Sequence, residues 1–361
     1  MKPSWRSTPS KWGGNTVKVY DITIKPLSGF GTPLKGDTLF GHFCWQVAYD
    51  EQLLGAKLKD ILDDYDRNPC IIFSSAFPKF FTGSKYQYAL PAPALPPDNL
   101  FVLPDNKCDR IRKRKEFKAQ RWMMLNEQQQ FSSFRELNFS TDAQLFIRAQ
   151  SIAGESANRF MRRSGTAYFS AVFSQSHNTI NRLTGTTGEG RFAPFSSDQQ
   201  VFHPETELAL FVGFDETKLT IDQIRTGLER IGDTGFGRDA STGLGRFQLG
   251  EETLVSLSNW GSSTPNACYT LAPCVPEKNS YSQIYFVPFT RFGRHGDVLA
   301  CSGKPFKNPV IMADEGAVLF PKDSEQFKKP YVGTALGSLS KAEPATVAQG
   351  FSLYLPVSVE V

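Results

Sequence analysis

The sequence predicts an α+β fold with long connections, on three observations. Its 361 residues suffice for two compact domains. Thirty Phe favour pleated surfaces, whereas 29 Gly and 23 Pro interrupt helices. With 40% hydrophobic and 21% charged residues the composition can bury a core, which argues against disorder of the whole chain.

The elements follow in order. Val17 to Ile24 alternates β-branched and polar residues, as a half-buried strand does. After a loop with Gly29, Gly31 and Pro33, Asp37 or Thr38 can cap a helix whose apolar face includes Leu39, Phe40, Phe43, Trp45 and Val47. Cys70 to Phe77 reads as a second strand, and the proline-rich residues 80–105 as an extended excursion outside the core. Regular structure returns in a strand at Glu207 to Phe214 and a helix at Ile221 to Ile231, where Ile221, Ile224, Leu228 and Ile231 fall at helical spacing. Glycine-rich residues 232–245 then open a strand at Arg246 to Leu249.

The order is β-α-β, an insertion at about 80–205, then β-α-β, which is the split pattern of ferredoxin-like and RNA-recognition folds. Residues 16–255 are therefore expected to form one such domain behind a flexible tail, 1–15. Residues 256–266 read as a linker. Strand-like stretches at 284–289, 310–312, 317–320 and 351–359, almost without helical periodicity, predict a second, β-rich domain over 267–361.

A net charge of +4 permits an anionic partner without demanding one. The six cysteines include no C-x-x-C pair and the four histidines are scattered at 42, 177, 203 and 295, so no metal site is expected. Met1 to Asn15 is polar, with Pro3, Pro9 and two Trp, unlike a secretory leader. No apolar run reaches the length of about 18 residues that crosses a membrane. A cytoplasmic protein without membrane contact is the expectation.

Three segments could carry chemistry. Gly232 to Phe247 surrounds Phe236, Gly237, Arg238, Ser241, Thr242, Gly243, Gly245 and Arg246, so glycine amides free of Cβ atoms lie between two arginines and could wrap a polyanion. The dinucleotide-binding glycine motif must follow a strand and open a helix, whereas this loop follows a helix and opens a strand. The plainer alternative is that its glycines only make tight turns. Asn181 to Arg191 offers Arg182, Thr184, Gly185, Thr186, Thr187, Gly188 and Arg191, a donor-rich loop suited to phosphates and sugars, or equally a hairpin tip. In Lys107 to Arg121 eight of fifteen residues are basic, and Arg159, Arg162 and Arg163 follow. These runs suit an RNA backbone or simply a solvated face.

Lys25-Pro-Leu-Ser28, Thr32 to Trp45, Asn181 to Gly190 and Gly235 to Phe247, in that order, resemble the fourth Csm subunits of type III-A CRISPR complexes, a family within the RAMP superfamily. The resemblance runs from about Val17 to the C-terminus, where Phe292-Gly293, Glu315-Gly316 and Gln349-Gly350-Phe351 match short glycine signatures. It departs at the arginine-rich 110–121 run and at Met1 to Asn15. The resemblance implies two ferredoxin-like domains. It also implies that the glycine-rich loops and the first helix start, with Lys35, Asp37 and Thr38, form a groove for the repeat-derived 5′ handle of the crRNA. The implied partners are crRNA, the large polymerase-like subunit and the adjacent RAMP backbone subunit, with no cofactor, no metal and no catalysis.

Metal-free ribonuclease activity, as in RAMP relatives that process guide RNA, is the enzymatic alternative. It needs groups that pass protons near neutral pH, most often histidine. His177, beside the donor-rich loop, is the one candidate acid or base, and His42 is expected to pack or to support a loop. Asp60, Asp63, Asp64 and Asp66 fit a solvated helix end better than a metal site.

Overall fold

In the computed structural model, which describes residues 11–12, 15–164 and 167–360, the alternating segment at Val17 lies within a long strand. This strand, β2 (Asn15–Pro26), pairs at its start with the short β1 (Lys11–Trp12). The rest of the expected tail, apart from Asn15, lies outside the described residues. Helix α1 (Gly36–Tyr49) and the short α2 (Leu58–Leu62) lead to β3 (Ile71–Phe81). Next come β4 (Tyr86–Pro91), α3 (Pro97–Leu100), α4 (Lys107–Ala119), β5 (Trp122–Asn126) and β6 (Asn138–Ser140). Helices α5 (Asp142–Ile152) and α6 (Glu155–Ser164) precede a two-stranded hairpin, β7 (Ser170–His177) and β8 (Phe195–Phe202). The chain then returns through β9 (Glu207–Asp215), α7 (Ile221–Thr234) and β10 (Phe247–Val255).

Strands β10, β2, β9 and β3 are neighbours in that order, all antiparallel, with α1 and α7 as the two crossovers. That is the ferredoxin-like arrangement expected from the sequence. The helices meet the sheet through apolar stripes, for α7 Ile224, Leu228 and Ile231 and for α1 Leu39, Phe40, Phe43 and Val47. Thr220 and Gln223 close a capping box at the start of α7.

Three expectations need correction. Residues 80–105 are no excursion, because β4 joins β3 to β5 and buries Tyr88, Ala89 and Leu90. The prolines from Pro91 onward end this strand without interrupting it. Neither Asp37 nor Thr38 caps α1; Lys35 holds that position, and Asp37 sits in the first turn. Gly36, the first residue of the helix, lies so close to the Phe73 carbonyl that any Cβ would overlap it. Finally, residues 256–266 do not behave as a loose linker. Trp260 is 1% exposed and packs on Tyr88, with ring centroids 5.0 Å apart, and edge-on against Phe211.

The second sheet contains β11 (Ala267–Thr270), β12 (Tyr281–Tyr285), β15 (Val318–Pro321), β16 (Tyr331–Gly333) and β17 (Phe351–Val357). Between β12 and β15 rises a hairpin of β13 (Pro288–Arg291) and β14 (Val310–Ala313). The order β12-β15-β11-β17 repeats the ferredoxin-like order, but among the described residues loops and 3-10 turns replace both helices. One apolar cluster runs from Val17 through Leu210 to Leu355 and joins the two sheets.

Candidate nucleic-acid interface

Three segments meet at the end of the first sheet where β2 leaves and β10 enters. They are the loop 27–35, the glycine-rich loop 235–246 and the base of the β7–β8 hairpin. The Phe30 and Gln200 backbones exchange two hydrogen bonds of 2.8 Å. The Arg238 amide donates to Thr32 Oγ1 at 3.0 Å, and the Arg238 guanidinium reaches the Asp198 carbonyl. Ser197 Oγ donates to the Asp239 carboxylate at 2.9 Å. Ser197, Asp198 and Gln200 are parts of this junction that the sequence did not single out, since each acts through a partner distant in the chain.

The glycines here chiefly close the loop. Gly235 and Gly245 adopt φ of 100° and 73°, and a Cβ on Gly245 would overlap the Phe236 backbone. The Gly245 amide donates to the Gly29 carbonyl at 2.7 Å, the Phe236 amide to the Gly245 carbonyl at 3.0 Å and the Gly243 amide to the Ala240 carbonyl at 3.0 Å. The Gly237 amide donates to His42 Nε2, also at 3.0 Å. Burial lowers the His42 pKa to about 4, so the ring is neutral and its Nε2 is free to accept. His42 therefore supports the loop. Phe236 is fully buried and tilted against His42, which removes its ring from any stacking surface.

What faces outward is a set of side chains. Ser241, Thr242, Gly243 and the Arg246 side chain are exposed. The second loop is a hairpin tip, closed by Asn181 and Thr186 and by the Gly185 amide donating to the Asn181 carbonyl at 2.8 Å. Arg182, Thr184, Gly185, Thr186, Thr187, Gly188 and Arg191 are all exposed on it, beyond the base that touches the glycine-rich loop. Near the α1 start, Thr38 is half-buried, whereas Lys35 and Asp37 are taken up within the chain. Lys35 Nζ meets Asp314 at 2.5 Å and Glu315 at 2.6 Å, and Arg291 grips Asp37 with two bonds of 2.6 and 2.8 Å.

His177 stacks on its cross-strand neighbour Phe195 at 5.1 Å. His203 Nδ1 meets the Pro204 carbonyl at 2.8 Å, and His295 Nε2 meets Ser340 Oγ at 2.7 Å. No two histidines form a pair, and no cluster able to hold a metal ion occurs among the described residues. All of the basic run 107–121 but its last two residues forms α4, which buries none of its side chains, and on α6 Arg159 pairs with Glu155 at 2.9 Å. No helix of the described residues is long and apolar enough to cross a membrane.

The chain is thus a ferredoxin-like sheet with an inserted hairpin, followed by a helix-poor sheet in the same order. Solved structures share it at low sequence identity. The Csm4 chain of a Csm1-Csm4 cassette in complex with AMPPNP matches with a TM-score of 0.51 and 14% identity, over 96% of this chain and 98% of that one. The same cassette in complex with pppApA gives 0.50 at 14% identity over the same shares. A Csm3-Csm4 subcomplex of the type III-A CRISPR-Cas interference complex gives 0.50 at 12%, over 94% of this chain and 99% of that one. No protein-family model matches the chain, and no curated protein matches it by sequence. The likeness establishes the fold.

Proposed function

We propose that the chain is a non-catalytic crRNA-binding subunit of a type III CRISPR interference complex. It caps the 5′ handle, docks the large polymerase-like subunit and lies beside the adjacent RAMP backbone subunit. The observation that carries this is the loop 235–246, braced from behind by Thr32, His42 and the hairpin base. Such bracing holds Arg246 and the hydroxyls of Ser241 and Thr242 outward on a rigid base, next to a hairpin whose tip adds Arg182, three threonines and Arg191. Arginines and hydroxyls without an apolar pocket suit phosphates and sugars, which position a nucleic acid.

The docking partners rest on the likeness in fold, since Csm4 has been solved with Csm1 and with Csm3. Residues 16–255 serve in this proposal as the RNA-binding unit and 267–361 as a second unit sharing its core. Lys35 and Asp37 fix the α1 start against the β13–β14 hairpin and the turn after it through their ion pairs, leaving contact with RNA to the loop, the β7–β8 hairpin and Thr38. Ribonuclease chemistry is disfavoured because His42 is neutral and engaged, and among the described residues His177 stacks on an aromatic ring with no second histidine beside it.

Arg246→Ala tests the proposal. The variant should bind guide RNA several-fold more weakly whatever the handle sequence, and the slope of log affinity against log salt should fall by about 0.7 for the one lost phosphate. Unchanged affinity and slope in a folded variant would rule out the loop as the RNA contact.

A further inference from the structure

Helix α4 lies beside a groove of about 820 Å³, and the face it presents is selective. Arg110, Arg114, Phe117 and Lys118 line the groove from positions i, i+4, i+7 and i+8 of one helical stripe, and Arg121, just past the helix end, joins them. Lys107, Arg112, Lys113 and Lys115 point elsewhere. Arg121 lies 3.8 Å from Asp142 and Arg110 is bonded to the Pro104 carbonyl, but Arg114 and Lys118 have no carboxylate partner among the described residues. The floor is aromatic. Phe117 stacks on Phe101 with centroids 4.8 Å apart, and Trp122 stands half-buried at the start of β5.

The opposite wall carries Asp314 and Glu315, already bound to Lys35. Burial pushes the Glu315 carboxyl up to about 7, whereas Asp314, hydrogen-bonded to Glu315 and paired with Lys35, is held below the ordinary carboxylate value despite its burial, its charge answered by Lys35 within the chain. A smaller cavity of about 130 Å³ shares Pro91, Trp122 and Glu315 with the groove. Its other walls include Pro33, next to Thr32, and Gln200 at the hairpin base, so it leads toward the glycine-rich loop.

We infer that the α4 groove is a second subsite for single-stranded nucleic acid, taking the stretch of RNA that runs on from the glycine-rich loop. The inference rests on the RNA-binding function proposed above, and its cations lie in the 110–121 run, where the sequence departs from the family resemblance. Phosphates lie along Arg114 and Lys118, and bases stack over Phe117 and Trp122. Unpaired cations above an aromatic floor complement a strand that presents charge on one side and flat apolar rings on the other. An acidic protein segment would use the cations but not the rings.

The test uses the full chain, with labelled oligouridylate in two lengths, one just spanning the glycine-rich loop and one about twice that, within the range of about 4–16 nucleotides common for single-strand sites. The double variant Arg114→Glu/Lys118→Glu changes only exposed groups. It should bind the long RNA about tenfold more weakly and lower its salt slope by about 1.4, for two phosphates, while leaving the short RNA unaffected. Long RNA carrying 4-thiouridine should crosslink to the segment 114–122, and Phe117→Ala should reduce that crosslink. Arg246→Ala should weaken both lengths. If the double variant weakens neither length, or both equally, the groove is not a subsite, whatever Arg246→Ala shows. If it spares RNA binding but releases a protein from the assembled complex, the groove belongs to an acidic protein segment and the inference is overturned. Loss of the Arg246 effect alone would sink the proposed loop contact and leave the groove standing.

Discussion

His42 shows how one side chain can set the behaviour of a loop. Its Nε2 accepts the Gly237 amide, 195 positions away, and burial holds its pKa at about 4 instead of 6.5. Protonation would turn that acceptor into a donor facing another donor. The sign follows from linkage: the unfolded chain takes up the proton at higher pH than the folded one, so stability is full above about pH 6.5 and is lost as pH falls toward 4. The shift from 6.5 to about 4 corresponds to roughly 3 kcal/mol. His42→Gln keeps an acceptor and removes the titration, so its urea midpoint should fall much less between pH 7 and pH 4 than that of the parent chain. Equal falls in both would show that other groups govern this window. At this scale the sequence was half legible. The need for glycine at 235 and 245 could be read, but not that the amides turn inward, because the groups that receive them come from Gly29 and His42.

Among elements, a buried ionic tie crosses the first sheet and spans β9. Lys79 on β3 meets Asp21 on β2 at 3.0 Å, and Tyr88 on β4 donates to the same carboxylate oxygen at 2.9 Å. All three are nearly inaccessible, and Lys79 also sits 4.4 Å above the Tyr86 ring. Burial raises the Asp21 carboxyl despite Lys79, so the tie specifies pairing more than it stabilises the sheet. Lys79→Met strands a buried carboxylate and should cost about 3–5 kcal/mol, whereas Asp21→Leu/Lys79→Met should recover most of that loss. Denaturant midpoints of the two variants decide it, and equal losses would mean that the pair itself stabilises. A lysine within Phe77-Pro-Lys-Phe80 reads in the sequence as the solvated end of a strand. For the same reason β4 was missed, since only the tertiary partners Asp21 and Trp260 reveal that its surroundings are core. By contrast, α7 was legible from its own periodicity and cap, which require nothing from outside the segment.

For the whole molecule, the question is whether the two sheets fold together. The second sheet repeats the order of the first without its helices, which left little periodicity to read, and β11 is four residues long. Lacking helices, it has to cover its inner face with the first sheet, and the contacts bear this out. Leu353 packs so near Gly213 that a Cβ there would come within 2.8 Å of its Cδ2, and the Ser75 amide donates to the Leu271 carbonyl at 2.8 Å. Beside the bulge of β3 between Phe73 and Ala76, where Ser74 Oγ accepts the Phe211 amide, lies the fully buried Gln349. Its Oε1 accepts the Phe73 amide at 2.9 Å, and its Nε2 donates to the Phe73 carbonyl at 2.7 Å. Gln349→Leu should leave both backbone groups without partners, at about 1–3 kcal/mol each. Because the core is shared, that loss should lower one common transition, with far-UV circular dichroism and near-UV aromatic signals still coincident in urea. Two separated steps in the parent chain, or a variant in which only the aromatic signal of the second sheet shifts, would show that the sheets fold as independent units.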